Sequence, residues 1–350
     1  MRLVIIGATG NIGTAVLRRL RESEAVTEVV GVARRQPESR SEPYRGVDWR
    51  AVDVSQPGVA PELASILEGA DAVVHLAWLL QPNHRERELW ATNVDGLRRV
   101  LAGAAAAKVP HVVVVSSVGA YSRGPKHTRV DESWPTGGIH TSHYSRHKAV
   151  DERLLDEFEA EHPDVVVTRV RPGLVFQRGA ASEIAGLFAG SLLPVRWLGR
   201  VRIPILTVPS QVISQAVHAD DLADAIVRIV EQRAGGAFNV AGEPVLDPQA
   251  LAEVVGARRV VPVRLAVVRA LMWITWKLRL QASDPGWLDI AANVPVMSTE
   301  RARSVLGWSP RRRSTDAMRE VLDGLADGSG VEASAPLAPR RATRAGIRRA

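Results

Sequence analysis

Tyr144 and Lys148 stand four residues apart in Tyr144-Ser145-Arg146-His147-Lys148. The run that follows, Ala149–Ala160, reads as a helix with Leu154, Leu155 and Phe158 turned inward. On a helix, that spacing puts a phenol and an ammonium on one face. A free phenol ionises at about pH 10, and a neighbouring positive charge favours the phenolate. The phenol can then exchange a proton with an alcohol or a ketone at neutral pH. A hydroxyl can steady the substrate oxygen, and Ser116-Ser117 close the β-branched run Val112–Val115 just upstream. Tyr-x-x-x-Lys alone arises often by chance, so its weight rests on the elements that position it.

The first of these elements is at the N-terminus. The apolar run Leu3-Val4-Ile5-Ile6 reads as a buried parallel strand, and Thr14–Leu20 as an amphipathic helix. Between them lies Gly7-Ala8-Thr9-Gly10-Asn11-Ile12-Gly13. Such a turn lets backbone approach a pyrophosphate, and the helix start offers uncapped N–H groups to the anion. Gly7, Thr9, Gly10, Asn11, Ile12 and Gly13 are therefore candidate dinucleotide contacts; a purely structural turn is the alternative. An oxidised nicotinamide would add a second positive charge near the phenol. The second strand, Glu28–Ala33, ends without the acid that usually accepts the adenosine ribose and selects NAD. Arg34 and Arg35 follow instead, which predicts NADP preferred over NAD. Otherwise the two arginines belong to a solvated loop, with the acid elsewhere.

The glycine spacing G-x-x-G-x-x-G, with Thr9-Gly10 inside it, resembles that of the short-chain dehydrogenase/reductase superfamily. With Tyr144-x-x-x-Lys148 behind a strand ending in Ser-Ser, the chain resembles the extended branch, the NAD-dependent epimerase/dehydratase family, over roughly residues 1–325. The resemblance implies that Ser117, four residues before Tyr121 in an S-S-x-x-x-Y strand end, holds the substrate oxygen. It makes Tyr144 the acid/base and Lys148 the group that tunes it, both also touching cofactor. Asn93, in Asn93-Val94-Asp95-Gly96, matches an asparagine that supports a site water or a backbone carbonyl. Asp53-Val54 would lie beside the adenine, or be a plain turn or helix cap. His75-Leu76-Ala77 matches the family's H-x-A, bringing Leu76 and Ala77 backbone to the cofactor while His75 is structural. Ser116 and Pro172 complete the cofactor set.

The second half continues the match. Pro172-Gly173-Leu174-Val175-Phe176 is similar to R-P-x-x-V-Y-G, with Gln177 in place of the glycine. Val217–Ala223 matches V-H-V-x-D-x-A, Gly236–Val240 reads as a last strand, and Leu306-Gly307-Trp308-Ser309-Pro310 as a closing L-G-W-x-P. Sugar-nucleotide members often carry an arginine where Ser214 stands here. Arg196, Arg200 and Arg202 could replace it or be solvated. The apolar stretch Leu193–Leu206, with Trp197, leans toward a less polar alcohol or ketone.

The expected fold is α/β: a Rossmann-type doubly wound parallel sheet with a smaller, mostly helical C-terminal substrate lobe. Residues 1–175, completed by about 215–242, would bind the dinucleotide; 176–214 and 243–326 would form the lobe. From Asp327 the chain is poor in large apolar residues and is expected to be a disordered basic tail whose removal leaves stability unchanged. Of the net charge of +7, residues 331–350 supply +4, five arginines against Glu332, so no nucleic-acid surface is called for on the body.

With no cysteine among 350 residues, disulfides and thiolate metal sites are excluded, and no metal is called for. A strand beginning at residue 2 leaves no room for a signal peptide, and no apolar run is long enough to span a bilayer, so a cytoplasmic location is expected. The stretch Leu265–Leu280, with Trp273 and Trp276, reads first as a core or lobe helix; a homodimer face or a weak membrane-surface contact through Arg264, Arg269, Lys277 and Arg279 are the alternatives.

The leading functional expectation is an oxidoreductase moving a hydride between NADP and a secondary alcohol or ketone. A nucleotide-sugar epimerase or dehydratase, using transient oxidation, would employ the same residues. A cofactor-sensing protein without turnover is the third reading, and the intact Ser-Tyr-Lys set speaks against it.

Overall fold

The apolar, β-branched runs read from the sequence form the central strands of a parallel sheet. In this computed structural model, which describes residues 1–81, 83–188 and 204–339, seven strands build it: β1 Arg2–Ile6, β2 Glu28–Ala33, β3 Asp48–Ala51, β4 Ala72–His75, β5 His111–Val115, β6 Val166–Pro172 and β7 Gly236–Val240. Their order is β7-β6-β5-β4-β1-β2-β3, all parallel. Strand order reverses on either side of β1, so a crevice opens at the carboxyl ends of β1 and β4. Ile6 is level with Val32 on one side and His75 on the other, so the glycine-rich turn and Leu76-Ala77 leave the sheet together.

Helices cover both faces. The helix Asn11–Leu20 buries Ala15, Val16, Leu17 and Leu20 with Leu222, Ala223 and Ile226 of the helix Ala219–Gln232 on one face. On the other, Leu63, Leu97, Val100, Leu155 and Phe158 from the helices Ala60–Leu67, Glu86–Ala106 and His143–Glu161 pack against Val73, Val112 and Val114. Beyond β6 the lobe is mostly helical, with the helices Pro248–Val255, Leu265–Lys277, Gly286–Asn293, Glu300–Leu306 and Ser314–Asp327 and two-stranded pairings such as Leu174–Phe176 with Ala216–His218.

Two glycines close the crevice floor. Gly7 has φ +87°, and a Cβ there would meet the Ala77 nitrogen at 2.6 Å. A Cβ on Gly13 would meet the Ala8 carbonyl at 2.6 Å, so only glycine lets the first helix sit down on its own turn.

One expectation is corrected and one is narrowed. Residues 328–339 are not a loose tail: Leu337 is fully buried, the Ser334 hydroxyl donates to the Thr9 carbonyl at 2.7 Å, and Glu38 N–H donates to the Ala333 carbonyl at 3.3 Å. Composition counts the segment's few apolar side chains but not the acceptors and apolar surface that the folded body presents to it. Of the two placements read for the helix Leu265–Lys277, core or lobe, the core is excluded, since none of its residues is buried. A stripe of apolar residues specifies a face but not what covers it. Arg196, Trp197, Arg200, Arg202 and the rest of 193–203 lie outside the described residues, as do the arginines from 340 onward.

Candidate active site

The crevice deepens into a cavity of about 340 Å³. Its wall includes Gly7, Gly10, Asn11, Ile12 and Gly13 of the glycine-rich turn together with Ser117, Tyr144 and Lys148. Gly10 caps the first helix without any side-chain hydrogen bond. The first-turn N–H groups of such a helix have no intrahelical acceptor, which suits an anion at this wall. A Cβ on Gly10 would meet only the Gly7 carbonyl, at 3.4 Å, so the turn's face is kept clear of side chain by residue type. The residues present therefore fit a dinucleotide diphosphate.

Gln177, the departure from the family pattern, acts at this turn. Its amide donates to the Asn11 carbonyl at 2.6 Å and to Asn11 Oδ1 at 2.7 Å, and its oxygen accepts from Arg18 at 2.8 Å. The Asn11 amide in turn donates to the Val175 carbonyl at 3.1 Å. The start of the first helix is thus tied to the segment after β6.

Tyr144 and Lys148 share a face of the helix His143–Glu161, whose N-cap Ser142 accepts from the Ser145 N–H. The Tyr144 ring packs against Trp78, edge-on at 5.4 Å between centroids, and against Trp287, tilted at 4.9 Å. Burial pushes the phenol up to about 12, while a hydrogen bond with the Ser117 side chain pulls the other way. The Lys148 ammonium donates to the Val115 carbonyl at 2.9 Å and sits 3.8 Å from Asp151. Burial pushes the lysine down from its usual value, against Asp151 and Glu152, which favour its charge. The ammonium is directed at a carbonyl, an indole face and a carboxylate.

Ser117 accepts from the Gly119 N–H at 3.0 Å and starts a short turn at the end of β5. Ser116 also lines the cavity, but its hydroxyl donates to Glu152 at 2.6 Å. Glu152 is held by two Arg171 bonds of 2.9 and 2.8 Å, and Arg171 also donates to the Tyr121 hydroxyl at 3.0 Å. Burial raises the Glu152 carboxyl, yet the Arg171 bonds outweigh it and leave it below its ordinary range. This buried carboxylate–guanidinium pair fixes β6 against the helix bearing Tyr144, and the Ser116 bond ties the end of β5 to the same carboxylate.

Of the other expected residues, Leu76 and Pro172 line the cavity. Asn93 clamps the Leu79 backbone, accepting from its N–H at 2.7 Å and donating to its carbonyl at 2.9 Å, and so holds the segment that carries Trp78 and Leu80 into the wall. Asp53 accepts from the Ser55 N–H and hydroxyl at 3.0 and 2.7 Å, the geometry of a local turn. Thr9, Asp53, Val54, Ala77 and Asn93 do not line the cavity among the described residues. Ala33 is buried, whereas Arg34 and Arg35 are exposed and make no side-chain hydrogen bond or ion pair among the described residues. His75 is buried, and burial pushes its imidazole down to about 3, which keeps it neutral.

Sequence reasoning missed Trp78, Trp287, Glu152, Arg171 and Glu183. Glu183 faces the cavity, and burial pushes its carboxyl up to about 7. The sequence signal available was the run of buried-strand residues interrupted by Arg169 and Arg171, because a guanidinium in a central strand needs an acid partner. Among the described residues, no group of three His, Cys, Asp or Glu side chains could hold a metal ion, and no helix is long and apolar enough to cross a membrane.

Comparison with known proteins places this geometry. The dTDP-6-deoxy-L-talose 4-dehydrogenase (NAD(P)(+)) of Kitasatospora kifunensis is 27% identical over 329 residues, 91% of this chain and 94% of that protein. A highly reducing polyketide synthase of Penicillium decumbens is 29% identical over 196 residues, where the chain spans only 7% of its length. An uncharacterized epimerase/dehydratase of Staphylococcus aureus is 29% identical over 177 residues, about half of each chain. Among solved structures, the dTDP-glucose 4,6-dehydratase of Streptomyces venezuelae with NAD has a TM-score of 0.69 at 20% identity, covering 93% of this chain and 97% of that one. The UDP-glucose 4-epimerase of Thermus thermophilus with NAD has a TM-score of 0.66 at 19% identity, covering 93% and 99%. Residues 3–241 match the sequence profile of the NAD dependent epimerase/dehydratase family, and with the Rossmann sheet in place the chain belongs to that family of enzymes.

Proposed function

We propose that this enzyme moves a hydride between a nicotinamide dinucleotide and a secondary alcohol or ketone carbon, with Tyr144 exchanging the proton. The observation that carries the reading is the convergence of Tyr144, Lys148 and Ser117 on the same cavity that the glycine-rich turn lines. Asn11, Ile12 and Gly13 would hold the diphosphate, and Arg34 and Arg35 the 2′-phosphate of NADP. A bound nicotinamide supplies a hydride acceptor or donor and, when oxidised, a positive charge that favours the phenolate. In the oxidative direction the substrate hydroxyl gives its proton to Tyr144 while its carbon gives up the hydride; ketone reduction reverses both. Ser117 orients the substrate oxygen, and Lys148 holds positive charge near the phenol and the ribose.

The cavity wall is rich in Leu80, Val118, Phe176, Ile184, Trp287 and Ile290, and Lys148 is its one basic side chain among the described residues. This supports an uncharged, rather apolar reacting portion and net oxidation or reduction. The relatives support a second reading. The talose dehydrogenase and the two solved enzymes are named for nucleotide-linked sugars, and epimerases and dehydratases return the hydride to the same substrate.

Nicotinamide absorbance separates the two. Steady change with turnover supports net redox chemistry, and product formation without lasting change supports the second reading. Cofactor binding without either reaction would overturn both. A substrate co-purified with the enzyme and identified by mass spectrometry would name the compound class.

A further inference from the structure

We propose that the helix Leu265–Lys277, with the turn that follows to Leu280, docks on an anionic lipid surface. Its exposed apolar side chains are large. Val267 is 52% exposed, Leu271 58%, Trp273 49%, Ile274 45%, Leu278 64% and Leu280 43%. A monomeric soluble protein rarely leaves such a cluster in water unless something covers it.

The charge around it selects the cover. Arg258, Arg259, Arg264, Arg269, Lys277 and Arg279 fall between Glu253 and Asp284, a span with no acidic residue. Only Arg269 is spoken for by an ion pair among the described residues, with Asp289 at 2.9 Å. Lys277 stays close to two indoles, 5.3 Å from Trp276 and 5.9 Å from Trp273. Tryptophan, aliphatic residues and basic heads are the combination that enters a headgroup layer, where indoles lie at the boundary and cations meet lipid phosphate.

A second copy of the chain is a poorer partner for this face. A two-fold contact sets the same patch against itself and so opposes positive charge with positive charge. The helix has 13 residues; at a rise of about 1.5 Å each it is too short to span a bilayer and must lie in the surface.

The helix is also held ready to present that face. Trp276 turns its N–H to Asn83 Oδ1 at 3.1 Å and stacks on His84 with 4.4 Å between centroids. The Arg269–Asp289 pair fixes it to the helix Gly286–Asn293, whose Trp287 and Ile290 line the cavity. The docking face is therefore one helix away from the candidate active site.

Co-sedimentation of the full-length protein with phosphatidylcholine vesicles, with and without phosphatidylserine, tests the proposal. Binding is expected to require phosphatidylserine and to fall as salt rises. Leu271→Gln with Trp273→Gln should abolish it. Lys277→Gln and Arg279→Gln should each weaken it roughly fivefold. Unchanged melting temperatures would show that these exposed substitutions leave the fold intact. The C-terminal arginines are separated by a full-length variant in which arginines 340, 341, 344, 348 and 349 are changed to Gln; the helix-dependent binding should persist in it. The proposal is overturned if anionic vesicles do not retain the protein, or if the Leu271/Trp273 variant binds as the parent does. It is overturned equally if sizing shows a dimer that this variant dissociates, since the face would then be covered by a second copy.

Discussion

The Lys148 ammonium lies 3.4 Å from the centre of the Trp78 ring. A cation this close to an indole face, in a buried setting, gains on the order of 2 kcal/mol. The same indole stands edge-on to Tyr144. Trp78 therefore positions both members of the Tyr–Lys pair, although it lies in a loop with no motif of its own.

Replacing Trp78 by Leu is expected to lower turnover by about tenfold or more, since about 1.4 kcal/mol of lost positioning has that effect. Cofactor affinity should fall with it, because Lys148 loses its support. Steady-state rates and cofactor titration of Trp78→Leu check this. Parent-like turnover would mean that the Val115 carbonyl and Asp151 suffice to hold the ammonium.

Tyr144→Phe should keep cofactor affinity and lose about 10²- to 10⁴-fold in rate, the usual contribution of a positioned proton-transfer group. Burial pushes the phenol up to about 12. Alcohol oxidation needs the phenolate, so its rate should climb about tenfold per pH unit below the operative phenol pKa and level off above it. Ketone reduction needs the protonated phenol and should fall across the same window. A flat oxidation profile in the parent enzyme, or near-normal turnover of Tyr144→Phe, would remove Tyr144 from the mechanism.

The cofactor preference can be read by titration with the two reduced dinucleotides. Arg34 and Arg35 are exposed and unpaired among the described residues. One or two charge-assisted contacts of about 1.5–3 kcal/mol each, reduced by solvent, correspond to roughly ten- to several-hundred-fold tighter NADPH binding. Ala33→Asp with Arg34→Ala should reverse the order. Equal or tighter NADH binding by the parent would assign the two arginines to solvent.

Truncation after Asp327 is expected to destabilise the protein and loosen its cofactor site. Leu337 is fully buried, and the Ser334 hydroxyl holds the Thr9 carbonyl in the glycine-rich turn. Losing the buried leucine alone removes about 2 kcal/mol. A melting temperature lowered by a few degrees and weaker dinucleotide binding would agree. No change in either would return residues 328–339 to the status of an inert tail.

Local chemistry made much of this protein readable from its sequence. The strand Leu3–Ile6, the glycines after it and the amphipathic helix beyond them depend on neighbours in the chain, and residues Arg2–Ile6 and Asn11–Leu20 fold accordingly. The four-residue spacing of Tyr144 and Lys148 on one helix face, and the buried parallel strand at Val112–Val115, are of the same kind. Periodicity and turn chemistry act over a few residues, so sequence alone determines them. What only the tertiary structure decided are the pairings across long separations. Glu152 meets Arg171 across two elements, Gln177 reaches back to Asn11, and Trp78 and Trp287 both pack on Tyr144. The apolar helix Leu265–Lys277 is left uncovered among the described residues, while Ser334 and Leu337 of the segment after Asp327 are buried. In each of these the outcome depends on which surfaces the sheet topology brings together, and no local pattern carries that information.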